Sequence, residues 1–471
     1  METTPANLFE RINLWIKESV TIKLLSIGFL LLILLIPASW IESLIAERHK
    51  RAESVVDEIS GKWSGEQTIS GPVLVIPFLK RDKIDKGKDG TETREWKEKA
   101  FFLPDQLTTS GKVAPQKLQR GIFEAAVYEA NLEMQSTFAT PDFSKLKIAP
   151  EDVLWQEAYL VLGINDLRGI SVNPTIKIGG AEAVSEPSSQ IGVSTQFKQE
   201  SSMVTEEEYS DESRSTHLTQ NGITAPLSWK SASDFQKDVT ISLALKGSTL
   251  LCFVPTGKTT KVSLAGVWPN PSFTGNFTTS TRDVNEQGFT AQWNVLHYNR
   301  PFAQQWVGEG QRFSGSEFGV KLLIPVGQYQ KSMRTAKYGA LVIFLTFVAL
   351  FMVEIMRKVR IHPFQYILVG AALIIYYSLL LSFSEHVGFD AAYLIASIAT
   401  ITLISLYSFS FFDVRKLSGV LAGLLFFFYS FVFVIIQLQD YSLLLGSVGL
   451  FIIIGLIMYF SKNIKWYGEE N

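Results

Sequence analysis

Long runs of apolar residues fill the C-terminal part of the chain, and one more lies near the N-terminus. A helix rises ~1.5 Å per residue, so a run of about 20 residues crosses a hydrocarbon layer of ~30 Å. The pattern therefore predicts an integral membrane protein with six transmembrane helices, the first one alone and five together over residues 337–461. The runs cover residues 24–41, 339–356, 366–383, 389–411, 417–437 and 442–460.

Residues 42–336, between the first and second runs, have a soluble-looking composition. Directly after the first run, apolar residues recur at helical spacing from Ala52 to Trp63, which predicts an amphipathic helix over 44–63. Farther on, large apolar residues alternate with other residues from Val239 to Leu245, as in a strand with one buried face. We therefore expect a large, mostly antiparallel β domain, with two sandwich-like lobes as one arrangement. Further strands are expected at residues 72–79, 121–138, 153–163, 249–255, 261–267, 289–296 and 319–325.

Two stretches of this domain are polar. Residues 80–99 are mostly charged, which predicts a solvated loop. Residues 201–215 are acidic and serine-rich, which indicates a flexible linker or surface loop; a cation-binding loop is the alternative, although the EF-hand spacing is missing. A weak repeat, Phe-x-Pro followed by Lys-Val, predicts two related halves, 66–198 and 216–326, with chance similarity as the other explanation.

Basic residues alternate between the short loops that join the apolar runs. They follow the second, fourth and sixth runs, whereas acidic and amide residues follow the third and fifth. The positive-inside rule then places the N-terminal residues 1–23 and the tail 462–471 in the cytoplasm and the large domain outside. The basic cluster at 48–51 opposes this orientation, but long translocated domains tolerate such charge. We interpret run 24–41 as an uncleaved signal anchor because it lacks an A-x-A site; a cleaved signal peptide is the alternative.

Composition and motifs exclude several kinds of function. The net charge of −2 gives no basic face for nucleic acid. A single cysteine, Cys252, allows no intrachain disulfide, and its apolar neighbours indicate a small buried residue rather than a nucleophile. Phosphate-loop, zinc-protease and serine-hydrolase motifs are missing, and the five histidines are scattered, so we expect no metal, no cofactor and no enzyme. A catalytic carboxylate pair would be recognisable only in three dimensions.

Polar residues at the outer ends of the apolar runs form the candidate site. Charges are costly inside a bilayer, so charged groups at its edge often serve a function. One interpretation is docking against the base of the large domain, and the other is a shared site for a lipid head group, a cation or a proton. Tyr376 and Tyr377 lie mid-span, where their hydroxyls need partners, so their helix should face protein. The candidates at the outer edge are Glu385, His386, Asp390, Gln437, Gln439 and Asp440.

Short polar strings at fixed places among the apolar runs carry a resemblance to a known family. These strings are Gly71–Pro77, Trp268-Pro269, Pro271–Gly275, Asn299-Arg300, Tyr329–Lys331, Lys337–Gly339, His362–Tyr366, Leu381–His386 and Gln437–Tyr441. Over nearly its whole length the chain resembles the CreD family of Gram-negative inner-membrane proteins, also called cell envelope integrity proteins. One departure is Gly327, where the family pattern has an acidic residue.

The resemblance implies a location and a process. It implies an inner-membrane protein with a periplasmic domain, tied to envelope stress, to a two-component regulon and to tolerance of certain colicins and β-lactams; it implies no reaction. The strings that join the domain to the membrane supply the candidate interface residues, which are Trp268, Tyr329, Lys331, Lys337 and Tyr338.

Three functional hypotheses follow. The favoured one is a non-enzymatic protein of cell envelope integrity whose periplasmic β domain binds a protein or glycan partner. The second is the handling of a lipid or lipid-linked precursor at the outer edge of the helices. The third is an envelope enzyme. The expected partners are membrane lipids and a periplasmic or inner-membrane protein, and no nucleic acid.

Overall fold

The chain divides into two compact units, one helical and one built from β-strands. In the computed structural model the described residues are 20–85, 91–189, 193–194, 221–308, 311–313, 315–324, 327–357, 359–412, 415–438 and 441–462. The helical unit combines Met1–Glu53 with Pro325–Asn471, and the β unit is Ser54–Ile324. Apolar helices together with a large, mostly antiparallel β part were predicted from the sequence, so this fold class is confirmed.

The first helix is long and continuous. This helix, α1 (Val20–Trp63), has 44 residues and contains Pro37. It joins the predicted span 24–41 and the predicted amphipathic helix 44–63 into one element that begins in the helical unit and ends in the β unit. Within its apolar run, residues 24–41, Leu34 is buried, whereas most of the other large apolar side chains are exposed, as expected of a helix that faces lipid.

Six more helices form the rest of the helical unit in the part of the chain that the structure describes. The first of them, α2 (Gly327–Lys337), was not predicted, because the sequence interpretation assigned residues up to 336 to the β domain. Its buried residues recur every three or four positions, from Tyr329 to Ala336, so one face of α2 packs inward. The other helices are α3 (Gly339–Arg357), α4 (Pro363–Val387), α5 (Phe389–Ser408), α6 (Arg415–Gln437) and α7 (Ser442–Ser461).

Length and composition allow five helical stretches among the described residues to cross a membrane. They are α1, α2 with α3 taken together, α4, α5 and α6. The sixth predicted span also lies in a helix, α7, but its apolar part, Leu444–Tyr459, is shorter than the other five. The membrane-spanning character is therefore established, and the number six stays a prediction.

The β unit contains 19 strands among the described residues. Those of the N-terminal half are β1 (Gln67–Asp85), β2 (Thr91–Phe102), β3 (Gln106–Arg120), β4 (Phe123–Thr137), β5 (Tyr159–Ile164), β6 (Thr175–Ile178), β7 (Ala181–Ala183), β8 (Glu186–Ser188) and β9 (Val193–Ser194). The others are β10 (Gly222–Pro226), β11 (Asp238–Ser248), β12 (Leu250–Phe253), β13 (Thr259–Gly266), β14 (Pro271–Gly275), β15 (Thr281–Asn285), β16 (Gly288–Leu296), β17 (Gln305–Val307), β18 (Gln311–Arg312) and β19 (Phe318–Leu322).

The strands form two large sheets. The first sheet has nine strands in the order β14-β19-β12-β1-β5-β10-β8, with β2 paired to β1 and β17 paired to β2. The second sheet has eight strands in the order β15-β16-β13-β3-β4-β11-β6-β7, and β18 pairs with β9 separately. Most pairs are antiparallel; the pairs β1–β12, β3–β13 and β9–β18 are parallel.

The two large sheets share one hydrophobic core. Trp293 of the second sheet is 1% exposed, and its ring lies 5.9 Å from Phe273 and 5.6 Å from Phe318 of the first sheet. The hydroxyl of Tyr128, in β4, donates a hydrogen bond to the Leu250 carbonyl, in β12, at 2.7 Å. The β unit is therefore a sandwich of two sheets.

Strand β1 explains the continuous apolar run at residues 72–79. Leu74 and Ile76 point into the core between the sheets, and Val73 and Val75 pack on the other face against a second apolar cluster. A strand that is buried on both faces needs apolar residues at every position, so its sequence does not alternate.

One expectation about this unit does not match the structure. The predicted loop at 80–99 was wrong, because β1 and β2 continue as an antiparallel hairpin with register up to Asp85 and Thr91. Cross-strand ion pairs such as Arg81–Glu95, at 2.6 Å, let charged residues remain in strands. The two predicted halves, 66–198 and 216–326, each supply strands to both large sheets. The two layers of the sandwich therefore do not coincide with the two halves of the sequence. The acidic loop 201–215 lies outside the described residues.

Candidate functional site

One end of the helical unit gathers polar side chains from four helices. Helix α4 ends near Glu385 and α5 begins near Asp390, because Gly388, at φ 80°, makes the tight turn between them. Gln437 is the last residue of α6, and Tyr329 and Lys331 lie in the first half of α2. We call these five residues the polar end.

Lys331 is the centre of one group. Its Nζ lies 3.5 Å from Asp390 Oδ1 and donates a hydrogen bond to Gln437 Oε1 at 3.2 Å. Gln437 Nε2 donates to Asp390 Oδ1 at 2.6 Å, which closes a triangle of three side chains. The ammonium also lies 5.3 Å from the centre of the Phe389 ring, a cation–π distance. Lys331 is 25% exposed and Asp390 63%, so the triangle is accessible from outside the bundle.

Tyr329 is the centre of the second group. The residue is 2% exposed, and its hydroxyl donates to Glu385 Oε1 at 3.1 Å. The ring of His49, from α1, lies 5.9 Å from the Tyr329 ring. Three helices therefore meet at this tyrosine.

The polar end carries charges of both signs. It combines one ammonium with two carboxylates and an amide, so a ligand that carries both an anionic and a cationic group would find a counter-charge for each. No group of three or more His, Cys, Asp or Glu side chains suited to a metal ion occurs in the parts of the chain that the structure describes. The chemistry that this arrangement offers is hydrogen bonding and charge pairing.

The other sequence-predicted residues have different surroundings. His386 and Lys337 are exposed, and Tyr338 is half-buried. Trp268 is 6% exposed within the sandwich core of the β unit, where its indole N–H donates to the Leu323 carbonyl at 3.1 Å, so it has a structural role there. Gln439 and Asp440 lie outside the described residues.

A second polar group lies at the opposite end of the helices, and sequence reasoning missed it. Glu354 of α3 is 4% exposed; its carboxylate accepts from Lys23 at 2.7 Å, from the Tyr366 hydroxyl at 3.0 Å and from the Ile361 amide at 3.4 Å. In the sequence, Glu354 is a lone carboxylate at the end of one apolar run, and Lys23 is a lone lysine at the start of another. Nothing in the sequence shows that the two side chains form a pair.

The two polar groups mark the edges of the apolar layer. Along α1, Lys23 lies at one group and His49 at the other, 26 residues apart. At 1.5 Å per residue this separation is about 39 Å, which matches a hydrocarbon core plus part of its interfaces. The helical unit therefore has two polar rims at membrane spacing.

In the β unit, a hydrogen-bonded network surrounds Asp166. Its carboxylate accepts from the Arg168 guanidinium at 2.9 and 2.7 Å and from the Gly65 amide at 3.0 Å. These bonds lower the pKa of Asp166 from its ordinary 3.8 to about 2, the Arg168 bond most of all. Gln67 Nε2 donates to the carbonyls of Asp166 and Lys246, so the network joins the end of α1 to two strands. These hydrogen bonds stabilise the local fold.

Cys252 and Glu317 are the buried titratable groups beside β12 and β19. Burial raises the pKa of the Cys252 thiol, which is 0% exposed, so the thiol stays protonated and unreactive. Burial likewise raises the pKa of Glu317, although the Gly315 amide donates to its Oε2 at 2.8 Å. The expectation of a buried, structural Cys252 is confirmed.

Comparison with known proteins gives matches over nearly the whole chain. Residues 19–467 match the family described as Inner membrane protein CreD. The chain is 29% identical over 470 residues to the Inner membrane protein CreD of Escherichia coli (strain K12). The aligned region covers 96% of this chain and 95% of the Escherichia coli protein. A match over nearly the whole length, with the apolar helices described above, places the protein in the inner membrane. The chain belongs to the CreD family of inner membrane proteins.

Proposed function

We propose that this protein supports the integrity of the cell envelope without catalysing a reaction, and that its β unit binds an envelope partner in the periplasm. The observation that carries the proposal is the outer face of the second sheet, which is broad, polar and exposed. Six residues on adjacent strands of this sheet are paired in register and form a row across its outer face. In order, they are Thr175, Ser242, Glu133, Ser110, Ser263 and Gln292.

The chemistry of this row suits a polar partner. Five of its six residues are hydroxyl or amide side chains, and one is a carboxylate. An open depression of about 720 Å³ lies over it and is lined by Ser110, Glu133 and Ser242 among others. Hydroxyls and amides both donate and accept hydrogen bonds, which matches a glycan or the polar surface of a protein.

Cross-linking in living cells tests this proposal. A photo-activated phenylalanine analogue placed at Ser242 should give a discrete adduct, because a bound partner would lie directly over the sheet. The matched control is the same analogue at Lys145, which is 73% exposed outside the sheet. Identical adducts at both positions, or none at Ser242, Ser110 and Ser263, would overturn partner binding at this face.

Two further measurements separate the parts of the proposal. Glu133→Gln should leave growth under detergent stress unchanged, since a binding face tolerates loss of one carboxylate; complete loss of function in a folded variant would favour an enzyme. A cysteine at position 242 should react with a membrane-impermeant maleimide in spheroplasts if the β unit is periplasmic. Labelling only after lysis would reverse the orientation.

A second candidate function is recognition of a lipid head group at the polar end. The hydrogen bonds among the five residues of the polar end favour this function. All five residues belong to the outer-edge candidates or to the interface candidates that the sequence predicted. An ammonium such as that of phosphatidylethanolamine would pair with Glu385 and Asp390, and its phosphate with Lys331. Native mass spectrometry of protein extracted in membrane patches should then show a retained lipid that the Glu385→Gln/Asp390→Asn variant loses. Equal lipid content and full function of the double variant would exclude this candidate.

A further inference from the structure

A seam of buried hydroxyl groups runs into the helical unit from the polar end. On α5, Asp390, Tyr393, Ser397 and Thr400 recur every three or four residues and so share one helix face. Tyr393, Ser397 and Thr400 are 4%, 6% and 3% exposed. The side chain of Ile398, at the same depth, is 56% exposed and faces the opposite way. The polar face of α5 is therefore its inner face.

Helices α4 and α6 add tyrosines to the same seam. The Tyr376 ring lies 4.5 Å from Tyr429 and 5.9 Å from Tyr393, so three helices meet through their tyrosines. Tyr429 precedes Gln437 by eight residues, about two turns, and therefore lies on the same face of α6 as that residue of the polar end. The seam thus continues inward from the Lys331–Asp390–Gln437 triangle.

Three buried hydroxyls of the seam lack a hydrogen bond of good geometry to the described residues. Tyr393 donates to the Tyr429 carbonyl at 2.7 Å. The hydroxyls of Tyr376 and Ser397 lie beside each other, yet these two and the Tyr429 hydroxyl have no partner of hydrogen-bonding geometry among the described residues. Polar groups within a bilayer are costly when unpaired, so three of them at one place indicate a polar ligand.

We propose that this seam is a binding site for water molecules, which enter beside the Lys331–Asp390–Gln437 triangle and solvate the hydroxyls of Tyr376, Ser397 and Tyr429. Water fits because each molecule can pair with two to four groups, both donors and acceptors. Thr400 lies ten residues beyond Asp390, so the inlet reaches about 15 Å into the bundle.

The inlet is blind. One turn below Thr400 the next buried residue of α5 is Ile404, 1% exposed, and one turn below Tyr429 the next of α6 is Leu425, 0% exposed. Apolar side chains at this level leave no partners for water, so the seam hydrates one half of the bundle without connecting its two ends.

Cysteine accessibility tests the inlet, and the chain suits the method because its single native cysteine is buried. In membrane fragments that expose both sides, Ser397→Cys should react with a permanently charged methanethiosulfonate at least tenfold faster than Ile398→Cys. A thiol ionises only in contact with water, and Ile398 faces lipid at the same depth. Asp390→Cys is the positive control. A rate for Ser397→Cys no higher than that for Ile398→Cys would overturn the proposal.

Hydroxyl-radical footprinting of the unmodified protein gives an independent reading that does not depend on the folding of a variant. Tyr429 should be oxidised well above its neighbour Phe428, although the two are 3% and 5% exposed, because only Tyr429 would lie next to water. Oxidation of Tyr376, Tyr393 and Tyr429 no faster than that of Phe428 would contradict the inlet.

Discussion

The buried ion pair between Lys23 and Glu354 offers the sharpest test of how the helices are held together. Replacing Lys23 with Met keeps the length of the side chain and removes its charge. Glu354 then retains hydrogen bonds from Tyr366 and Ile361, but its charge has no counterpart. We expect Lys23→Met to destabilise the helical unit through this uncompensated charge.

The burial of the two partners sets the size of the effect. Breaking a fully buried pair costs about 3–5 kcal/mol, and an exposed pair contributes about 0.2–1 kcal/mol. Glu354 is 4% exposed and Lys23 is 37% exposed, which places this pair between the two limits. We expect a cost of about 2 kcal/mol for Lys23→Met and about 1 kcal/mol for Glu354→Gln, whose amide oxygen still accepts a hydrogen bond.

A double-mutant cycle isolates the pair. The double variant should cost about as much as Glu354→Gln alone, which gives a coupling energy of about 2 kcal/mol. The assay is SDS titration in mixed micelles, followed by helical circular dichroism. Lys62→Met is the control, because its pair with Glu58 in the same helix α1 is exposed on both sides and should cost under about 0.5 kcal/mol. If the costs of the two single variants add up in the double variant, or if Lys23→Met and Lys62→Met cost the same, then the Lys23–Glu354 pair does not stabilise the helical unit.

Three further predictions concern other parts of the molecule. Asp166→Asn should destabilise the β unit by about 1–2 kcal/mol at neutral pH. The lowered pKa of Asp166 contributes stability that is fully present above pH 3.8 and is lost as the pH falls towards 2. Thermal melts at a series of pH values should therefore show the difference from wild type disappear between pH 3.8 and 2. Gly370→Leu should lower the melting temperature more than Gly370→Ala, since even a Cβ at this position would overlap the Leu34 side chain, and overpacking costs about 1–3 kcal/mol. Cys252 should react with a thiol reagent only in denaturant, because it is 0% exposed; rapid reaction of the native protein would contradict its burial.

The pattern of apolar and polar residues was enough to predict the two-part architecture. Runs of about 20 apolar residues have few stable conformations other than a membrane helix, since every backbone polar group must be paired within the bilayer. The alternation in Val239–Leu245 likewise identified β11, because a strand with one buried face imposes a period of two. These signals are local, so a single sequence reveals them.

Two segments that depend on a neighbouring element for their stability were misjudged. The charges of residues 80–99 indicated a loop, yet pairing between the end of β1 and the start of β2 makes that segment a hairpin. Helix α2 went unnoticed, because its inward face is built from Tyr329, Ser332 and Thr335, which carry no apolar period. In each case a neighbouring element supplies the stabilisation that the local pattern lacks.

Which polar residues contact one another depends on how the helices pack. The sequence placed Glu385, Asp390 and Gln437 at one membrane edge, but the pairing of Lys331 with Asp390 and Gln437 depends on how α2 packs against α5 and α6. The pairing of Lys23 with Glu354 spans 331 positions of sequence. Hydrogen bonds act over about 3 Å of space whatever the separation along the chain, so the composition of each polar group is a property of the packed helices.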